Sequence, residues 1–269
     1  MGFVRFTSER GPPQFGYRIA DQIVSCSAPP GHSTVAESLD DSTTFDANEV
    51  DIAVPTDPST IVRLDGCYEH DVTDEGFNHL VEGAGFNEME YPSLWVAPDS
   101  TLTPHEGTVR IPAQMRDVRP GVELGVVIDS HAHALEPDDA LEAIGGYTVC
   151  MDLAVHDDEP GLEGYRMFDT SLPCGPEFVE FDAVDPAALA LGIRVEGEPI
   201  DVRSTTSLRF SLAELVSYVS TVMTLSPGDL ITTGTPIRGA PALEDGDEVE
   251  AWIESVGTLQ ATVEWGANR

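Results

Sequence analysis

Two apolar stretches in the middle of the chain constrain its fold more than any other feature. Gly125-Val126-Val127-Ile128 and Tyr147-Thr148-Val149-Cys150-Met151 are short and rich in β-branched and aromatic residues, and they read as buried strands. A polar loop and a helix-like segment, 137–144, separate them. One acid stands at the edge of each strand, Glu123 and Asp152. Carboxylates at the rims of apolar strands are costly unless they are solvated, hydrogen-bonded or bound to a cation. The pair therefore reads either as a divalent-metal site or as solvated strand ends.

Charge narrows the function classes. Aspartate and glutamate total 48 against 13 basic residues, a formal net charge of −35, and every basic residue is arginine. The acids are dispersed among ordinary apolar strands, and 41% of the chain is hydrophobic. That is too much patterned core for a disordered acidic tail. We read the acidity as adaptation to a high-salt cytoplasm, where screening suppresses self-repulsion within a few ångströms. No basic patch can be assembled, so nucleic-acid binding is disfavoured. Without a lysine, Schiff-base aldolases, pyridoxal-phosphate enzymes and P-loop nucleotide sites are excluded. Cys26, Cys67, Cys150 and Cys174 are scattered with no CxxC pair, which indicates neither a zinc knuckle nor a disulfide framework. The N-terminus lacks an apolar leader core, and no run approaches the roughly 18 residues needed to span a bilayer. The expected protein is soluble and cytoplasmic, with no membrane partner.

Taken in order, residues 1–58 read as a small β-rich domain and linker. Strands are expected at 3–6, 15–19 and 23–26, and the acidic stretch 28–58 reads as irregular, with His32 and Glu37 solvated. A second unit, 59–269, opens with a strand over 59–64. Two His–acid pairs follow, His70 with Asp74 and His79 with Glu82, and either could act as a carboxylate-oriented base. Further strands are expected near 94–96 and 109–111, and a hairpin through Gly197. The clearest helix covers 212–223 with Ser211 as its cap. A strand at 230–233 and a closing strand pair end the chain. His131 and His133 form an H-x-H best read as a solvated loop, and Trp252 and Trp265 read as packing residues.

Four segments in register, "RPGVELGVVI", "GGYTVCMDLAVHD", "FDTSLPCGP" and "SPGDLITTGTP", resemble the fumarylacetoacetate hydrolase family. The resemblance covers about four-fifths of the chain, from Ser59 onward. It implies an α+β, mainly β fold, a distorted β-sandwich roll behind a small N-terminal domain, usually as a homodimer. It also implies Mg²⁺, Mn²⁺ or Ca²⁺ held by three carboxylates. Such a metal chelates a 2-oxo or 2,4-dioxo acid and stabilises the enolate formed as a bond breaks.

The resemblance carries over unevenly. The family's first acid falls on Gly121 and is missing, whereas Glu123 and Asp152 match the other two ligands. Asp157 matches a further acid, His156 replaces the basic residue before it, and Arg166 stands where the family has lysine. Gly234 and Thr235, in the intact 233–236 turn, are expected to bind substrate with Tyr68 and Arg166. His70 with Asp74 is the preferred catalytic base, and His79 with Glu82 is the alternative. The leading reading is a metal-dependent hydrolase of a C–C bond in an acylpyruvate-type acid. Alternatives are a dehydratase, hydratase, isomerase or decarboxylase of a 2-oxo acid such as a 2-keto-3-deoxy sugar acid, or a member that has lost metal and catalysis.

Overall fold

The computed structural model describes residues 2–8, 11–26, 43–69, 91–156 and 167–266, which are mostly strands with few helices. Strands β1 (Gly2–Thr7), β2 (Gln14–Ile19), β3 (Gln22–Cys26), β4 (Thr44–Asp46) and β5 (Asp51–Ala53) form one sheet in the order β4-β3-β2-β1-β5. The segment expected to be irregular thus supplies two short edge strands. They form because Phe45 and Ile52 pack onto Val4, Phe6 and Ile23, which anchors short pieces that sequence periodicity cannot detect.

Then come β6 (Ile61–Asp65), β7 (Ser93–Ala97), β8 (Leu102–Thr103), β9 (Gly107–Ile111), β10 (Val118–Ile128), β11 (Ile144–Val155), β12 (Leu172–Pro173) and β13 (Val179–Glu180). The chain continues with β14 (Ala190–Val195), β15 (Glu198–Ser204), β16 (Leu230–Thr232), β17 (Glu248–Ile253) and β18 (Gly257–Trp265). A central sheet runs β13-β11-β10-β16-β6-β7, and a third runs β15-β14-β17-β18-β9. Between β15 and β16, the helix Leu212–Val222 starts at a capping box in which Ser211 and Glu214 bond each other's backbone.

The β10–β11 ladder fixes the layers. Its register runs from Val118↔Val155 to Ile128↔Ile144, so both strands are longer than their apolar cores suggest. Pro120 and Gly121 are residues that strands disfavour, yet the ladder continues through them. The Leu153 N–H points away from β10, to Ser171 O, so its partner Pro120 faces a position that asks no donor of it. Glu123 and Asp152 therefore lie inside strands, not at their rims. Side chains alternate along a strand, and here the two faces differ in kind. Val122, Leu124 and Val126 of β10 and Val149, Met151 and Leu153 of β11 join the large core with β14, β17 and β18. Each such aliphatic side chain contributes about 1.5–3 kcal/mol on burial. The opposite face carries Gly121, Glu123, Gly125 and Val127 beside Thr148, Cys150 and Asp152. At one end the first sheet covers it, with Phe3 and Tyr17 against Val127, Cys150 and Leu230.

Candidate active site

The other end of that face holds the chemistry. Glu123 and Asp152 each retain 1% of their side-chain exposure, and so does a third charged group, Arg63 of β6. β6 lies parallel to β16 with Arg63 opposite Thr232, and Thr232 in turn lies opposite Gly125 of β10. Val62 and Leu64 belong to the large core, so alternation turns Arg63 onto the carboxylate face. Its Nη2 donates to Asp152 Oδ1 and lies 3.9 Å from Glu123 Oε1. The sequence places Arg63 inside the expected 59–64 strand and assigns it no role. The only local signal is one arginine inside the otherwise apolar run "TIVRL".

A turn closes over this cluster. The Thr233 N–H and hydroxyl both donate to Leu124 O, each at 3.2 Å, which ties the end of β16 to β10. Gly234 then takes φ +74, a conformation glycine adopts without strain. A Cβ there would also meet Leu64 O at 3.1 Å. Thr235 follows and packs directly on Gly121. A Cβ built on Gly121 would lie 2.7 Å from Thr235 Oγ1 and 2.8 Å from its Cβ and Cγ2. The threonine thus fills the room an acid at position 121 would need. Thr235 is half-buried, whereas the charged members of the cluster are enclosed.

Beside Glu123 lies a pair of thiols. Glu123 and Cys150 are direct partners across the ladder, and the Cys150 thiol donates to Cys174 Sγ at 3.6 Å. That hydrogen bond first, then burial, then the neighbouring Cys174 and Glu123 push the Cys150 thiol well above its ordinary range.

The other expected residues divide in two groups. Tyr68 is fully buried and bridges to Leu208. His131 and His133 are exposed in the loop before the short helix Pro137–Leu141, with His133 Nδ1 3.2 Å from Thr224 Oγ1. His32, Glu37, His70, Asp74, His79, Glu82, Asp157 and Arg166 lie outside the described residues. The structure therefore brings together Glu123, Asp152 and the 233–236 turn.

Residues 60–264 match the family model for the fumarylacetoacetate (FAA) hydrolase C-terminal domain. The chain belongs to the fumarylacetoacetate hydrolase family. The mitochondrial oxaloacetate tautomerase FAHD1 of Rattus norvegicus is 34% identical to it over 183 residues, 65% of this chain and 82% of the relative. The 5-carboxymethyl-2-hydroxymuconate delta-isomerase of Mycobacterium smegmatis shares the fold at a TM-score of 0.83 and 25% identity, covering 99% of this chain and 100% of that one. A maleylpyruvate hydrolase from Sphingobium sp. SYK-6, in complex with manganese (II) ion and pyruvate, superposes at 0.79 with 24% identity over 99% and 100% of the two chains. The family is one of enzymes, and this chain is a member of it.

The metal that the family implies can be tested against these residues. Three carboxylates are expected, and the described residues present two, with Thr235 in the space of the third and a guanidinium against both. Among the described residues no three His, Cys, Asp or Glu side chains are grouped to hold a metal ion. As arranged, the described residues do not fit a three-carboxylate shell. No helix among them is long and apolar enough to cross a membrane.

Proposed function

We propose that this chain acts on a small 2-oxo acid and moves a proton between its enol and keto forms, a tautomerase or isomerase reaction. The observation that supports it most is the half-buried Thr235 hydroxyl over an enclosed carboxylate–guanidinium cluster. Keto–enol transfer needs an oxyanion donor and a positioned base, and no activated water. Thr235 Oγ1 accepts from Ile237 N at 3.3 Å, which leaves its own O–H to donate to a substrate oxygen. In this reading Gly234 N–H is a second donor, Tyr68 shapes the pocket, Arg166 forks onto the substrate carboxylate, and Asp157 supports it. His70, oriented by Asp74, is the base. Glu123 and Asp152 set the electrostatics beneath. The resemblance of the chain to an oxaloacetate tautomerase points the same way.

Hydrolysis of a C–C bond in an acylpyruvate is the second reading. The pairing of His70 with Asp74 favours it, because an imidazole–carboxylate base can also activate water. Both readings place the catalytic unit in 59–269, behind a small domain of residues 1–58, in a homodimer of a high-salt cytoplasm. Forty-eight acids repel at low ionic strength, so assays belong in molar KCl. There, purified protein should speed the decay of enol-oxaloacetate absorbance over buffer, and Thr235→Val should slow it about 10- to 100-fold. Enol decay no faster than buffer alone, with acylpyruvates cleaved instead, would move the conclusion to the hydrolase.

A further inference from the structure

The missing acid and the buried arginine are two halves of one change. We propose that Arg63 is the resident cation of this site, its guanidinium standing where a divalent ion would sit, so that the folded protein takes up no divalent metal there. Position comes first. An ion bridging two carboxylates lies about 2.0–2.6 Å from an oxygen of each. Arg63 Nη2 is bonded to Asp152 Oδ1 and 3.9 Å from Glu123 Oε1, so an ion coordinated by both carboxylates would have to lie against the guanidinium, in the space between them. A metal and the guanidinium cannot share it, both by size and by like charge.

Charge is the second argument. Among the described residues, two carboxylates against one guanidinium leave one net negative charge, the same as three carboxylates around a divalent ion. Losing an acid at position 121 while retaining a metal would have left the cluster neutral. Losing it with Arg63 in place keeps the balance. A guanidinium also carries its charge permanently and bonds carboxylates with fixed N–H directions, so it suits a buried site better than a lysine ammonium would. Packing is the third. Thr235 already occupies the approach from Gly121, with contacts of 2.7–2.8 Å to any Cβ there. A third ligand cannot enter from that strand without moving the turn that carries the proposed oxyanion donor.

Its consequence is a cation that is part of the fold, one that chelators cannot remove. Arg63 is a positioning residue here: at 1% exposure it acts on substrate only through the carboxylates and the turn above them. The test titrates Mn²⁺ alone into protein in molar KCl, reading free Mn²⁺ by electron paramagnetic resonance and unfolding by circular dichroism. Wild type should leave millimolar Mn²⁺ free and unfold at a midpoint indifferent to it. Arg63→Met should unfold at lower temperature, bind one equivalent of Mn²⁺, and regain midpoint as Mn²⁺ is added. Adding Glu123→Gln to that variant should weaken the acquired binding at least tenfold. One tightly held equivalent in wild type would overturn the proposal, and so would a folded Arg63→Met that ignores Mn²⁺. If Arg63→Met does not fold, the wild-type titration decides alone. Neither readout uses turnover, so the outcome is separate from whether the substrate is a 2-oxo acid.

Discussion

The two faces of the β10–β11 ladder share a backbone, a register and near-complete burial, and they are held by opposite physics. On the core face, Val122, Leu124, Met151 and Leu153 belong to the large apolar core, and each loss there is graded by the volume removed. On the other face, Glu123 and Asp152 are equally enclosed, with the Arg63 guanidinium of β6 against both. Charge removed from water is recovered only through its partner, so the penalty for losing that partner is steep. Asp229 shows a third solution within the same sheet. It is buried with no opposite charge against it among the described residues, taking hydrogen bonds from Ser59 Oγ, Thr60 N and Ser226 N at 2.7–2.8 Å. A structural carboxylate can thus be satisfied by neutral donors. That the 123–152 pair uses a cation instead marks it as something other than a fold anchor.

The largest expected effect tests this contrast directly. Arg63→Ala removes the guanidinium from two enclosed carboxylates and should cost about 3–5 kcal/mol in denaturant unfolding. Leu124→Ala on the opposite face should cost about 2–5 kcal/mol, tracking the cavity left. An Arg63→Ala loss below that of Leu124→Ala would mean that water reaches the carboxylates and the faces are less different than described. A smaller, chemical effect concerns the thiols. Cys150 and Cys174 are buried beside Glu123, and Cys150 is held in its thiol form, whereas Cys26 is partly exposed. At pH 8 a thiolate-selective reagent should modify Cys26 alone in the native protein and all four cysteines after denaturation. Rapid native modification of Cys150 would show that this face opens.

The smallest effect lies off both faces and calibrates them. Ser211→Ala, at the cap of the helix Leu212–Val222, should cost about 1 kcal/mol. The Ser211 backbone N–H, and then its hydroxyl, hold the Glu214 carboxyl below its ordinary value of 4.5. A carboxyl lowered in the folded state stabilises fully above that value, and the contribution fades as pH falls through the lower folded value. The cost of Ser211→Ala should therefore shrink below about pH 4.5, and a cost unchanged at pH 3 would remove the capping box from the account.

Much of this was legible in sequence for local reasons. Strand positions 15–19, 23–26 and 109–111 and the Ser211-capped helix follow from alternation, helical spacing and capping chemistry, and all lie where expected. The family followed from four motifs in order. The strand ends did not, because Pro120 and Gly121 are poor strand formers, and only the position of Ser171 shows that the ladder can pass them. The short β4 and β5 were missed because their hold is tertiary. His70, Asp74, Asp157 and Arg166 rest on sequence and resemblance alone.

Sequence by itself determined the fold, the family, the two carboxylates Glu123 and Asp152, and the gap at Gly121, because each is a property of neighbours within one strand or motif. Tertiary structure alone decided what fills the gap. Arg63 lies 89 residues before Asp152, and its place in an apolar run does not say which residues it meets. Its meaning appears only when β6 pairs with β16 and alternation turns its side chain onto the carboxylates. Contacts of that range are set by how strands are ordered in the sheet, and no local pattern encodes strand order.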